Sequence, residues 1–306
     1  MAEINNNEPF GIILINKPQD FTSFDVCAKL RGILKTKRIG HTGTLDPLAT
    51  GVLPVLIGKA ARAADILPEG GKEYRASFKL GIDTDTQDIT GKVIRQSDRS
   101  VLKNELEKAF EGFVGEYMQT PPMYSAVKVD GKKLYEYARE GKEIKREPKK
   151  RYIDFIRLEE YDESTREGVI TVSVSKGTYI RTLIADAAAR LKTYGVMTAL
   201  VRTKANGFDI KDCLTLEQVQ ALADKGEIFK ALTSLESIFD IYPRAVLDKH
   251  KTKLYKNGVK LRPEQIGIKA FDENSRYRII SDEGRLISVA FIDVNKNEVR
   301  SLRNFY

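Results

Sequence analysis

The sequence predicts an α+β protein built on a mixed, largely antiparallel sheet. Several segments alternate apolar and polar residues with the period of a β-strand, and others repeat apolar residues with the spacing of an amphipathic helix. These segments do not follow the regular strand–helix–strand order that indicates a doubly wound parallel sheet. The chain has 306 residues, 42% of them hydrophobic, so it is long enough for one large domain and a small second one.

The first elements are predicted within residues 12–80. Residues 12–15 are Ile-Ile-Leu-Ile, and such an apolar run predicts a buried strand. A helix should follow, capped by Thr22 or Ser23, because apolar residues then recur with helical spacing. Apolar and polar residues alternate from 74 to 80, which predicts a second strand with one buried face.

Further elements are predicted between residues 170 and 218. Apolar residues alternate over 170–174, as in a strand. Residues 183–191 carry a helical apolar stripe, with Lys192 expected in the last turn and Gly195 expected to stop the helix. Thr215 precedes Gln218 by three residues, a capping-box pattern that predicts the start of one more helix.

The positive charge of the chain is concentrated in two regions. The whole chain has a net charge of +8. Residues 128–151 hold ten Lys or Arg against five acidic residues, with Tyr135 and Tyr137 between them, and residues 244–306 hold fourteen against eight. The rest of the chain is therefore acidic overall. A solubility effect alone would not require such clustering, which favours a nucleic-acid partner.

The composition also indicates where the chain divides and what it lacks. We predict a boundary near Asp240, which separates residues 1–240 from a small β-rich unit of residues 241–306. Two cysteines and two histidines predict neither a disulfide framework nor a zinc site. No dinucleotide or phosphate-loop motif predicts a cofactor. Neither a signal peptide nor a membrane span is expected, so we predict a cytoplasmic, metal-free protein.

The most unusual segment is the loop of residues 40–51. It contains three glycines and one proline, which indicate a tightly shaped loop. Pro47 restricts the backbone of Asp46, so the position of this carboxylate is fixed in advance. Glycines on both sides of His41 leave room for a bulky planar group. The same residues could also form an ordinary loop, with Asp46 in a turn hydrogen bond and His41 in solvent.

A second candidate segment is residues 177–181, where a strand leads into a helix. If this segment is extended, Tyr179 and Arg181 project to the same side. An arginine beside a carboxylate would keep the acid ionised and orient it by a charge-assisted hydrogen bond. A structural ion pair without catalytic meaning is the alternative, because Tyr-x-Arg alone is a weak motif.

These segments resemble one known family. Residues 40–55, GHTGTLDPLATGVLPV, resemble the signature loop of the TruB family of tRNA pseudouridine-55 synthases. The resemblance spans most of residues 11–210. It includes Asn-Lys-Pro at 16–18, Lys-Glu-Tyr at 72–74, the segment 119–128 and the segments 175–181 and 199–208. Two positions depart from the family pattern: Asp20 and Asn206 stand where glycine is common, so the turn after Pro18 could be shaped differently.

The resemblance implies a fold, an activity and a set of site residues. The fold would be of the pseudouridine-synthase type, with a PUA-like β-rich domain at the C-terminus. The enzyme would convert uridine 55 in the T arm of tRNA to pseudouridine without a cofactor, a metal or a protein partner, acting as a monomer away from membranes. The implied site residues are Asp46 as the catalytic carboxylate, His41, Tyr74, Tyr179, Arg181 and Leu200 around the flipped uridine, and Lys17 and Pro18 in support.

The basic insertion of about residues 119–151 would close over the RNA. Its charge predicts backbone contacts through Lys128, Lys149, Lys150 and Arg151. Two other functions fit parts of the same pattern. One is the same chemistry on a different RNA, and the other is a non-catalytic protein that binds or folds tRNA. The basic regions alone would fit the latter, but the loop around Asp46 argues against it.

Overall fold

The computed structural model describes residues 9–68 and 70–306. Its strands are β1 Gly11–Lys17, β2 Ile39–His41, β3 Thr50–Ile57, β4 Lys72–Leu80, β5 Ile82–Thr84, β6 Val93–Gln96, β7 Gly115–Gln119, β8 Lys128–Val129, β9 Lys132–Lys133, β10 Lys149–Asp162, β11 Glu167–Val174, β12 Gly195–Ala205, β13 Phe208–Asp209, β14 Arg244–Val246, β15 Arg276–Ile280, β16 Leu286–Asp293 and β17 Glu298–Asn304. Its α-helices are α1 Ser23–Leu34, α2 Lys103–Glu111, α3 Leu134–Arg139, α4 Ile180–Arg190, α5 Leu216–Asp224, α6 Leu235–Ile238 and α7 Lys249–Lys256. Short 3-10 helices span Gly58–Ala63, Ile210–Asp212, Ile228–Ala231 and Pro263–Ile266.

The main sheet is mixed and largely antiparallel, as the sequence predicted. Its strands follow the order β1-β3-β12-β4-β11-β10-β7, while β2 adds to β3 and β13 adds to β12. Within this sheet of the described residues, the pair of β12 and β3 is parallel and the other pairs are antiparallel. The interior strand β12 therefore lies between β3 and β4, two strands that precede it far back in the chain.

Helices cover the sheet in two places. Apolar residues of β4, β11 and β12 form one core with α2 and α4, and this core includes Leu45 and Ala49 of the loop before β3. A separate core joins β1 and β3 to α1 and α5. Burial of these apolar side chains stabilises the helix–sheet contacts, at roughly 25 cal/mol for each Å² removed from water. The loop with the candidate carboxylate therefore rests directly on a packed core.

Most of the predicted elements are confirmed. Residues 12–15 and 74–80 lie in β1 and β4, and residues 170–174 lie in β11. Thr22, not Ser23, caps α1: its side chain accepts a hydrogen bond from the amide of Asp25. Thr215 and Gln218 form the predicted capping box of α5.

The predicted end of α4 is wrong. The helix ends at Arg190, and Lys192 beyond it adopts the left-handed backbone conformation, with φ of 55°. Gly195 instead opens β12, where a side chain would collide with the helix, since an added Cβ would lie 2.9 Å from the Cβ of Ala188. Gly195 therefore serves the close packing of helix against strand rather than the termination of the helix.

The C-terminal residues form a second, β-rich sheet. Strands β14, β15, β16 and β17 lie in this order, and their apolar residues build a core with α7. Other apolar residues of this sheet pack against β1, β3 and α6. Arg303 is ion-paired with Asp65, and Arg62 donates hydrogen bonds to the carbonyls of Asn304 and Tyr306. The C-terminal sheet thus packs on the outer part of the main one; the boundary near Asp240 stays a prediction.

The basic insertion emerges from the edge of the main sheet. Strands β7 and β10 pair with each other, and Gln119 lies opposite Lys149 at the point where the chain leaves and re-enters the sheet. The residues between them include the short hairpin of β8 and β9 and the helix α3. Lys132 and Lys133 lie close to the rings of Tyr137 and Tyr135, respectively.

Candidate active site

The loop between β2 and β3 carries Asp46 and is held by the first turn of the chain. The amide of Leu45 donates to the Oγ of Ser23 at 2.9 Å. The carbonyl of Pro47 accepts from the amide of Asp20 at 3.0 Å and from the Nζ of Lys17 at 3.2 Å. Residues on both sides of Asp46 are therefore tied to the segment 17–23, and the carboxylate starts from a fixed backbone.

Lys17 is fully buried and works as a backbone clamp. Its Nζ donates to the carbonyls of Pro18 at 2.8 Å, Phe21 at 2.5 Å and Pro47 at 3.2 Å. Burial lowers the pKa of Lys17 to about 8, although the nearby carboxylates of Asp20 and Asp46 act in the opposite direction. The residue predicted to support the site thus holds the turn after Pro18 against the loop.

The pKa of Lys17 predicts a stability difference that depends on pH. The pKa of Lys17 is lower in the folded chain than in the unfolded one, so the folded chain loses this proton at a lower pH than the unfolded chain does. Stability attributable to Lys17 is lost as the pH falls towards 8 and is regained as the pH rises towards the unfolded value of 10.5. The free energy of unfolding of the wild type, relative to Lys17→Met, should therefore rise by about 2 kcal/mol between pH 7.5 and 9.5.

Urea unfolding of both proteins at the two pH values measures this difference. Other titrating groups, including Lys72, are present in both proteins and cancel in the comparison. A gap that stays constant with pH would contradict a buried, titrating Lys17.

Asp20 keeps the turn that glycine would form. Its backbone is left-handed, with φ of 65°, a conformation in which aspartate is among the better tolerated residues after glycine. Asn206, the other departure, is also left-handed, with φ of 52°. The turn after Pro18 therefore docks on the loop even though its residue differs from the family pattern.

Asp46 and Arg181 form an ion pair. The Nη2 of Arg181 lies 3.1 Å from the Oδ2 of Asp46, and the side chain of Asp46 is 43% exposed whereas that of Arg181 is 5% exposed. The guanidinium also donates to the carbonyls of Tyr124 at 2.6 Å and Thr86 at 3.2 Å. Arg181 is thus fixed from three sides, and it orients a carboxylate that still reaches solvent.

Tyr179 lies beside this pair at the start of α4. It is extended as the sequence analysis assumed, but Arg181 is already helical, so the two do not alternate along one strand. The guanidinium carbon of Arg181 is nevertheless 5.8 Å from the centre of the Tyr179 ring. The buried side-chain amide of Gln119 accepts from the amide of Tyr179 at 2.8 Å and donates to its carbonyl at 2.9 Å. This two-bond clamp sets where α4 begins.

Tyr74 and Leu200 lie at the end of the core next to the loop. They are 7% and 8% exposed, and both pack in the cluster that contains Leu45 and Ala49. Tyr74 lies opposite Arg202 and Leu200 lies opposite Ala76 across the pair of β4 and β12. Both side chains therefore belong to the same core as two residues of the loop that carries Asp46, and each is mostly covered.

His41 ends β2 and has an exposed aromatic neighbour. The ring of Phe24, which is 68% exposed, meets the imidazole edge-on with centroids 5.4 Å apart. The Nδ1 of His41 is buried and has no hydrogen-bond partner within the described residues. Burial, followed by the charge of Arg202, lowers the pKa of His41, so its ring is neutral at neutral pH. A neutral planar ring is suited to stack on a base.

The four basic residues of the insertion are placed unevenly. Lys128 and Lys149 are exposed, and Lys150 is exposed but ion-paired with Glu116 on the neighbouring strand β7. Arg151 is partly buried, and its Nη1 donates to the carbonyl of Lys150 at 3.3 Å. All four lie where the insertion joins the sheet or in its hairpin, so their charges are displayed along the edge of the sheet.

Three features of the site were missed by sequence reasoning. They are the amide clamp of Gln119, the carbonyls of Thr86 and Tyr124 that hold Arg181, and the buried side chain of Arg202. Gln119 had a usable signal, because it lies in a segment that resembles the family. The carbonyl acceptors had none, since a backbone acceptor carries no residue-type pattern.

Within the described parts of the chain no three His, Cys, Asp or Glu side chains could hold a metal ion, and no helix is apolar and long enough for a bilayer.

Comparisons with known proteins show the family of this chain and agree with its fold. Residues 31–180 match the TruB family pseudouridylate synthase (N terminal domain). The tRNA pseudouridine synthase B of Lactococcus lactis subsp. cremoris is 43% identical over 244 residues, which cover 78% of this chain and 74% of that protein. The tRNA pseudouridine synthase B of Bacillus cereus is 39% identical over 276 residues, covering 87% and 90% of the two chains.

The fold also matches solved structures over its whole length. A chain of the Cbf5-Nop10-Gar1 complex superposes with a TM-score of 0.71 at 25% identity, covering 100% of this chain and 92% of the other. A chain of the archaeal box H/ACA sRNP Nop10-Cbf5 complex has the same TM-score at 22% identity, covering 100% and 93%. The family model and these two relatives define the class of this α+β protein as the pseudouridylate synthases. The chain belongs to the TruB family of pseudouridylate synthases.

Proposed function

We propose that this enzyme converts uridine 55 in the T arm of tRNA to pseudouridine, with Asp46 as the catalytic carboxylate. The observation that carries the proposal is the ion pair of Asp46 and Arg181, which presents a partly exposed carboxylate from a buried support. The names of the relatives, tRNA pseudouridine synthase B, support tRNA as the substrate. The resemblance of residues 40–55 to the family's signature loop supports the position within tRNA.

The reaction is an isomerisation within one nucleotide. The bond from N1 of uracil to C1′ of the ribose breaks, the ring turns, and a bond from C5 to C1′ forms; N1 gains a proton and C5 loses one. An ionised carboxylate at C1′ can add to the sugar or remove a proton from it while uracil is detached. Both routes need the charge of Asp46, and neither requires a cofactor or a metal. We propose that the enzyme works as a monomer in the cytoplasm, without a protein partner.

The target base must leave its stack before it can meet Asp46. Extrusion costs a few kcal/mol, which binding to the protein must offset. We assign His41 to the space that the base vacates, while Tyr74, Tyr179 and Leu200 surround the extruded ring. Stacking of one base on an aromatic side chain contributes about 1–3 kcal/mol. The mostly buried Tyr74 and Leu200 provide a wall that packing has already made rigid.

Substitution of Tyr74 tests this arrangement. Tyr74→Leu should lower kcat by about tenfold or more and change RNA affinity by less than about threefold, because stacking acts on the extruded base after docking. Tyr74→Phe, which keeps the ring, is the matched control and should retain most of the turnover. Single-turnover release of tritium from C5-labelled tRNA measures both variants. Normal turnover by Tyr74→Leu would assign the residue to the core alone.

Neutralising the three basic residues at the start of β10 tests whether the insertion contacts the RNA backbone. Replacement of Lys149, Lys150 and Arg151 by Gln should weaken tRNA binding and reduce the slope of log affinity against log salt by about two to three, because each lost phosphate contact changes it by about 0.9 for a duplex and 0.7 for a single strand. Lys79→Gln is the control, since Lys79 is paired with Glu167 elsewhere on the main sheet. A salt slope that matches the wild type would show that these residues do not touch phosphates.

The two alternative functions, modification of a different RNA and tRNA binding without catalysis, predict different results in two assays. Pseudouridine mapping of total RNA from a deletion strain should lose the modification in the T arm of tRNA; loss at other RNA sites instead would favour a different substrate. Purified wild-type protein should release tritium without added cofactor and in the presence of EDTA. Binding without any release would favour a tRNA-binding or tRNA-folding protein.

A further inference from the structure

Lys72 opens β4 and takes no part in the contacts of Asp46 and Arg181 described above. It lies two residues before Tyr74, so both side chains belong to the same face of the strand. Lys72 is partly buried, yet within residues 9–68 and 70–306 its Nζ has neither a hydrogen-bond acceptor nor an ion-pair partner. Its Nζ instead faces Gly43 of the loop, where an added Cβ would lie 2.9 Å from it.

A second cation meets Lys72 at the same glycine. Arg202 is fully buried; its Nε donates to the carbonyl of Val52 at 2.7 Å, while its Nη1 and Nη2 have no partner within the described residues. The Nη1 of Arg202 would lie 3.2 Å from an added Cβ at Gly43. Gly43, whose φ is 69°, has no side chain, so both cations can approach its backbone closely and lie near each other.

Among the described residues, no ion pair compensates the positive charge of Lys72. Burial lowers the pKa of Lys72 to about 8, and the charges that act on it come from Arg202 and Lys176, both of which are cations. The carboxylate of Asp46 is ion-paired with Arg181, and it acts on the pKa of Lys17 rather than on that of Lys72. A buried cation without a counter-ion is costly, so this arrangement is suited to an anion supplied from outside.

We propose that Lys72, with Arg202 behind it, binds one phosphodiester of the RNA backbone next to the extruded nucleotide. The proposal rests on the proposed function, because it takes the RNA to be the source of the anion. The extruded base would lie against Tyr74, two residues along the same strand, so an adjacent phosphate passes the start of β4. An ammonium group is well suited to such a phosphate as a point charge, and the unpartnered Nη1 and Nη2 of Arg202 add further donors at the same place.

A double-mutant cycle measures this contact by removing the charge of Lys72 from the protein and the charge of one phosphate from the RNA. The Asp46→Asn background keeps the RNA unmodified, and affinity is measured for T-arm hairpins that carry one neutral methylphosphonate at either linkage flanking the target. A 2′-deoxy sugar protects that linkage, and the reference hairpin has the same sugar with a normal phosphate. In this background Lys72→Met should weaken binding of the reference hairpin by roughly tenfold and lower the salt slope by about one.

The pattern across the cycle decides the proposal. A methylphosphonate at one flanking linkage should weaken binding to the protein with Lys72 by a similar factor and should not weaken Lys72→Met further. Lys72→Arg should recover most of the affinity. Lys204→Met is the matched control, because Lys204 lies on the neighbouring strand but is paired with Glu73 at 3.1 Å, and it should leave the cycle unchanged.

Two results would overturn the proposal. Methylphosphonate effects that are equal and additive in both proteins would show that Lys72 touches neither phosphate. Inorganic phosphate that weakens RNA binding only when Lys72 is present, at constant ionic strength and without any methylphosphonate effect, would assign the position to a free anion. Thermal melting confirms that Lys72→Met is folded. Failure of the proposed function is a separate result, seen as absent tritium release by the wild type.

Discussion

Replacing Asp46 by Asn should lower the rate of pseudouridine formation by about 10⁴-fold or more. Asparagine has nearly the same shape and can still accept a hydrogen bond from Arg181, so the loop should remain folded. It lacks the negative charge that both routes require at C1′. Binding of tRNA should change by less than about threefold, because the phosphate contacts lie elsewhere. Single-turnover tritium release and filter binding measure the two effects separately.

The matched control for this substitution is Asp154→Asn. Asp154 lies on β10 and accepts a hydrogen bond from Ser173 at 2.7 Å, away from Arg181. This variant should retain wild-type turnover. Equal tritium release by Asp46→Asn and the wild type would remove Asp46 from the reaction and, with it, the proposed chemistry.

Gly51→Ala should cause the largest loss of stability among single small substitutions near the site. The φ of Gly51 is 101°, and an added Cβ would lie 2.3 Å from the carbonyl oxygen of Arg202. This oxygen belongs to the backbone of the interior strand β12 and cannot rotate away. We expect a loss of about 3–5 kcal/mol in the free energy of unfolding, from strain and from separation of β3 and β12. Urea unfolding measures it.

Gly131→Ala separates the two causes of this loss. Gly131 is also left-handed, with φ of 81°, but nothing lies within 4 Å of an added Cβ. Its substitution should cost about 1–2 kcal/mol, the price of the left-handed backbone alone. Similar losses in both variants would show that the close approach of β3 to Arg202 contributes nothing. Turnover by Gly51→Ala should fall as well, because β3 anchors the loop of Asp46.

The ion pair of Asp46 and Arg181 was predictable from the sequence in its residues but not in its geometry. The loop of residues 40–51 identified Asp46, since a carboxylate between glycines and a proline is unusual within a short segment. Residues 177–181 identified Arg181 as a candidate partner. Only the folded chain brings the Nη2 of Arg181 to 3.1 Å from the Oδ2 of Asp46. Asp46 precedes β3 and Arg181 follows β11, and these two strands lie in one sheet in the order β3-β12-β4-β11.

The amino-acid sequence was sufficient to predict the α+β class, the strand and helix segments, the concentrated positive charge and the identity of the candidate carboxylate. These properties depend on periodicity, composition and a local motif, which neighbouring residues determine. The tertiary structure decided the contacts of Lys72, Arg202 and Gly43, the clamp of Gln119 and the role of Gly195. Each depends on which strands are neighbours in the order β3-β12-β4-β11, and strands far apart in the chain meet only when the sheet has formed.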